Sequence, residues 1–120
     1  MKLAVTSQGD KLESPLDQRF GRAKWIIVFD TETGNWQAHG NEVNLTAIQG
    51  AGIQTGSNIV NLGADAVITG NVGPNAFRVL REGNAEVFLS GPVTVSEAIE
   101  AWKNDKLKQV SSANVEGHWV

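Results

Sequence analysis

Arg19, Arg22 and Lys24 place three positive charges within six residues, and no other basic residue follows until Arg78. Gly21 sits among them, so Arg19-Phe20-Gly21-Arg22-Ala23-Lys24 reads as a hinged cationic loop. Guanidinium groups at this spacing suit an anion, which they meet with charge-assisted hydrogen bonds. The bland alternative is a solvated loop balanced by Asp17.

The second candidate is the stretch from Ala64 to Phe77, which reads as a buried strand, a turn bracketed by Gly70 and Gly73, and a helix starting on Pro74. Such a turn aims main-chain N–H groups and the positive end of a helix dipole at whatever lies above the sheet edge. Gly50-Ala51-Gly52-Ile53-Gln54-Thr55-Gly56 is a third glycine-rich stretch. Its last glycine comes one place late for a dinucleotide fingerprint, and no convincing strand leads into it. It still offers N–H groups to an anion.

Other chemistries are poorly supplied. The chain has no cysteine, which removes disulfides, thiolate metal sites and cysteine nucleophiles together. Its two histidines, His39 and His118, lack metal-ligand spacing, and neither has a serine partner for a hydrolytic triad. A two-metal nuclease would need converging carboxylates. The candidates Asp10, Asp30 and Asp65 fall at opposite strand ends in the expected topology. A formal charge of -3 argues against a general nucleic-acid or acidic-membrane binder. The N-terminus is too short and too soon polar for a signal peptide, and no apolar run approaches the roughly 20 residues of a membrane span, so a cytoplasmic protein is expected.

These residues need a scaffold to position them. At 120 residues one domain is expected, over residues 1–107, with 108–120 as an arm or frayed tail. Strands are expected at Leu3 to Thr6, Trp25 to Phe29, Trp36 to Gly40, Ala66 to Thr69 and Ala85 to Leu89. Asn41 to Gln49 reads as irregular and mobile. A helix from Gly50 to Leu62 is expected to bury Ile53, Ser57, Val60 and Ala64, with Ile59 widening the stripe. A second helix runs from Pro74 to Glu82. The third has the clearest start, because Thr94-Val95-Ser96-Glu97 is a capping box. Alternating strands and helices imply a mainly parallel sheet, whose ligands sit outside the carboxyl ends of the strands.

Four blocks in order resemble the dinitrogenase iron–molybdenum cofactor biosynthesis family. They are Arg19 to Ala23 with the apolar strand ending in Asp30, Gly50 to Gln54, Ile68 to Phe77, and Thr94 to Ile99. The resemblance extends over about Met1 to Leu107. It implies a ribonuclease H-like α/β fold: a five-stranded mixed sheet, its second strand antiparallel, with helices on both faces. It also implies noncovalent carriage of an anionic metal–sulfur cluster containing molybdenum, by an accessory protein rather than an enzyme. For a small cysteine-free chain the likeness points to a molybdenum–copper sulfide cluster, or another molybdenum–iron–sulfur cluster, and to cofactor-assembly or ATPase partner proteins. On that reading Arg19, Arg22 and Lys24 supply charge around the Gly21 hinge. Gly50, Gly52, Gly70, Asn71, Gly73 and Asn75 supply N–H groups, Phe20 and Val72 form an apolar wall, and His39 is the one well-placed imidazole. The rival readings are a ribonuclease H-type metal-dependent nuclease and a regulatory interaction module.

Overall fold

The computed structural model describes residues 1–41 and 50–114. Most of the segment expected to be irregular and mobile, and His118 in the tail, lie outside the described residues.

The elements are β1 (Lys2–Ser7), a 3₁₀ turn (Phe20–Arg22), β2 (Trp25–Asp30), β3 (Trp36–Gly40), α1 (Ala51–Asn61), β4 (Ala66–Thr69), α2 (Pro74–Glu82), β5 (Glu86–Leu89), α3 (Val95–Lys103) and β6 (Lys108–Val110). They form a six-stranded sheet in the order β3-β2-β1-β4-β5-β6. The chain rises through β1, β4 and β5 in parallel, while β2 and β6 run against their neighbours. The mixed sheet agrees with expectation; its strand count does not. β6 lies inside the expected tail. Its three residues, Lys108-Gln109-Val110, are too short to show a period and carry their polar groups outward, so only pairing with Val87–Leu89 defines them.

Strand alternation sorts the apolar residues into two cores. Ala4, Ile26, Val67 and Val87 meet Ile59 of α1 and Ala76, Phe77 and Leu80 of α2 on one face. Leu3, Val5, Ile27 and Ile68 meet Val95, Ala98 and Ile99 of α3 on the other. Complete burial of each large aliphatic side chain contributes about 1.5–3 kcal/mol, so the two layers hold the sheet from both sides.

The inward face of α1 differs from the expected one. Ala51, Gly52, Thr55, Gly56 and Ile59 are buried, whereas Ile53 is 37% exposed. The cause is close helix packing: a Cβ on Gly56 would stand 3.1 Å from Val79 Cγ1 and 3.5 Å from the Ala76 carbonyl oxygen. Small residues therefore face α2, and Ile53 is turned outward.

Candidate functional site

Parallel β1, β4 and β5 end together at Ser7, Thr69 and Leu89, and the loops leaving them form one rim. Ser7 pairs with Trp25, which pairs with Gly40, so the segment entering β2 joins that rim. Beneath it, the buried Thr6 hydroxyl donates to the Asp17 carbonyl and lies 2.8 Å from Thr69 Oγ1. The Asp17 N–H donates back to the Thr6 carbonyl at 2.8 Å. These contacts carry the chain from β1 across to β4.

The cationic segment and the glycine turn meet directly. Arg19 and Asn71 form a parallel bridge. Asn71 N–H donates to the Gln18 carbonyl at 2.7 Å, and Phe20 N–H donates to the Asn71 carbonyl at 3.2 Å. Gly70 permits the approach: a Cβ there would lie 2.8 Å from Gln18 Cα and 2.5 Å from its Oε1. The 3₁₀ turn containing Phe20, Gly21 and Arg22 then packs against α1.

Asp17 does not neutralise Arg19. Its carboxylate accepts from the Arg19 backbone N–H at 3.0 Å, and among the described residues neither Arg19 nor Lys24 is ion-paired. Arg19 and Lys24 are exposed and Arg22 is half-buried. The rim is an open platform with positive side chains.

Two helices deliver their N-termini to this platform. Among the described residues neither α1, preceded by Gly50, nor α2, preceded by Gly73, has a side-chain cap, and neither has an acidic residue in its first turn. α3 is the opposite case. Thr94 Oγ1 accepts from Glu97 N–H at 3.2 Å, and Glu97 Oε1 accepts from Thr94 N–H at 3.0 Å. The Thr94 N–H, and then the Thr94 side chain, bonding to the carboxylate, hold the Glu97 carboxyl below its ordinary range. Among the described residues the positive ends of α1 and α2 thus carry no capping carboxylate, whereas that of α3 is closed by its own.

Other expectations change on this geometry. Phe20 and Val72 are both 0% exposed and belong to the core, so they floor the rim instead of forming a wall that faces a ligand. The Asn71 N–H, expected to point at a ligand, bonds within the chain, as does the Val72 N–H. Val72 N–H donates to Asn114 Oδ1 at 2.7 Å, and Asn114 Nδ2 reaches the Gly70 carbonyl at 3.3 Å and Asn71 Oδ1 at 3.2 Å. Gly52 is buried within α1, and Asn75 is half-buried in the first turn of α2.

His39 stands apart from the glycine turn. Its strand is three places from β4, roughly 14 Å at the usual strand spacing. It lines hollows of about 440 and 260 Å³ beside Asn61 and Leu62, and the register sets it across Ile26 from Thr6, one residue below the level of the rim. The larger hollow also touches Lys2 and Asp30, which mark the opposite edge of the sheet from the rim.

Sequence reasoning missed Gln18, Asn41 and Asn114. Gln18 Nε2 is a buried donor with no partner among the described residues. Asn41 Nδ2 donates to the Ala23 carbonyl at 2.8 Å and to Thr55 Oγ1 at 2.9 Å, while its Oδ1 accepts from Asn58 at 2.8 Å. It thereby ties the exit of the cationic segment to α1. No local pattern marks these amides, because their partners are distant in sequence.

Asp10 follows β1, Asp30 ends β2 at the other edge, and Asp65 accepts from Lys2 N–H at 2.8 Å. Among the described residues no three His, Asp or Glu side chains converge as metal ligands. No described helix is long and apolar enough to cross a membrane.

Residues 1–105 match the family described as dinitrogenase iron-molybdenum cofactor. The chain belongs to that family. The apo form of the orange protein from Desulfovibrio gigas superposes with a TM-score of 0.90 at 30% identity, covering 95% of this chain and 96% of that one. A NifB-like protein from Thermotoga superposes with a TM-score of 0.80 at 31% identity, covering 97% and 98%. The protein MJ0580 of Methanocaldococcus jannaschii is 28% identical over 112 residues, 91% of each chain.

Proposed function

We propose that this protein binds an anionic metal–sulfur cluster as cargo, noncovalently, and carries it rather than transforming it. The observation that carries the reading is the adjacency of Arg19 and Asn71, which sets the cationic segment against the glycine turn on one rim. Arg19, Arg22 and Lys24 supply the countercharge. The uncapped starts of α1 and α2, at Gly50 and at Gly73 to Asn75, supply N–H groups. Gly21 of the 3₁₀ turn and Gly52 of α1 are buried where these two elements pack, and buried Phe20 and Val72 floor the rim.

A thiometallate brings its own sulfide ligands and spreads its negative charge over a soft surface. A protein without cysteine can hold it by charge and main-chain dipoles, with no bond to the metals. The overall charge of -3 does not oppose this, since fields are screened beyond roughly 10 Å. Likeness to the orange protein favours a molybdenum–copper sulfide cluster over a molybdenum–iron–sulfur one. A carrier of this kind acts with cofactor-assembly or ATPase partners.

The test is gel filtration of the chain after incubation with thiomolybdate and copper, with molybdenum, copper and absorbance read across the protein peak. Co-elution of metal with a charge-transfer absorption is expected. Colourless, metal-free protein would overturn the reading.

A further inference from the structure

A groove that meets the rim at Pro74 gathers positive charge that the cargo site does not use. It lies between the outer face of α2 and the chain that follows β6, encloses about 210 Å³, and is lined by Pro74, Phe77, Arg78, Arg81, Ser111 and Ser112 with Ala113. Arg78 and Arg81 sit three residues apart, so they project from one face of α2. Among the described residues neither is ion-paired, and the Arg78 guanidinium makes only a long contact, 3.4 Å, to Asn75 Oδ1. Ser111 and Ser112, after β6, line the same groove. Phe77 and Pro74 supply an apolar side. The groove runs on into a hollow of about 180 Å³ that Arg81 and Ser111 share, and Glu86 stands at that far end.

We propose that this groove binds a small phosphomonoester. Two arginines and two serines lining one groove offer the donors that the several acceptor oxygens of a phosphoryl group take, bidentate from arginine and single from serine. The ester's apolar group would lie along Phe77 and Pro74. The ligand's phosphoryl chemistry distinguishes it from the rim's sulfidic cargo. Its sources, a free metabolite or a phosphorylated side chain, share this headgroup.

The test is a titration of backbone amide resonances of the whole chain with phenyl phosphate, inorganic phosphate and, at matched ionic strength, chloride. Saturable shifts are expected at Ser111, Ser112, Ala113 and Arg81, with phenyl phosphate binding more tightly than phosphate. The double variant Arg78→Gln with Arg81→Gln, both exposed positions, should lose about tenfold in affinity while keeping its fold. A phosphoserine peptide that shifts the same amides identifies a side-chain source, and phenyl phosphate alone doing so identifies a free ester. Chloride producing the same shifts, equal affinity for phosphate and its phenyl ester, or unchanged binding by the double variant would overturn the proposal.

Discussion

Arg19 and Asn71 sit side by side as a parallel bridge, joined through the Asn71 carbonyl to Phe20 and through the Asn71 N–H to Gln18. This bridge brings a cationic loop from between β1 and β2 against the turn that follows β4. Gly70 makes the contact possible, since a Cβ at that position would press on the Gln18 main chain at 2.8 Å. Gly70→Ala is therefore expected to destabilise the fold by about 1–3 kcal/mol, the usual cost of overpacking. Urea unfolding checks this, and the amide resonances of residues 18–20 should move more than those of α3.

Asn114 offers a second test, because its side chain accepts from the buried Val72 N–H and donates to Gly70 and Asn71. Asn114→Ala leaves that N–H without its acceptor, at a cost of about 1–3 kcal/mol. Hydrogen exchange at Val72 should accelerate well before exchange in β1 or β4. Equal protection in variant and wild type would show that the clasp does not form in solution.

What could be read from the sequence was local. The Thr94–Glu97 capping box, the Pro74 helix start and the alternating strands each declare themselves within a few residues. β6 did not, because three residues have no period. The buried face of α1 was misread because Gly52, Thr55 and Gly56 carry no hydrophobic signal, although their smallness is what admits α2. Phe20 and Val72 were legible as apolar, but whether an apolar residue floors a site or faces it depends on the layer beneath. The adjacency of the two glycine-bearing loops agrees with the expected rim. The amide clasp of Asn114 and the remoteness of His39 required the strand order.

The capping box also predicts a pH dependence. The Thr94 N–H bond, and then the Thr94 side chain, hold the Glu97 carboxyl below its ordinary value of 4.5. A lowered folded value means stabilisation that is fully present above the unfolded value and is lost as pH falls through the folded one. Glu97→Gln should thus be less stable than wild type at neutral pH, and the gap should close in acid, below 4.5. Thr94→Ala should cost about 1 kcal/mol near neutral pH. Thermal unfolding of the three proteins across that range checks both statements.

His39 provides a test by indifference. It lies on β3 beside Asn61 and Leu62, away from the glycine turn. His39→Ala is expected to retain loaded cargo through gel filtration as wild type does, with an unchanged molybdenum-to-protein ratio. Loss of metal in that variant would extend the cargo site across the sheet to its outer strand.

The most direct measurement is cargo retention by the paired variant Arg19→Glu with Arg22→Glu, compared with wild type by metal content and visible absorption after gel filtration. Arg19 is exposed and Arg22 half-buried, so circular dichroism and the unfolding midpoint serve as the control for folding. A folded variant that emerges with cargo reduced at least about tenfold is the predicted result, since two attractive charges have become repulsive. A folded variant that keeps its full complement of metal would contradict the account, because the rim built around Arg19 and Asn71 would then not be where the cluster sits.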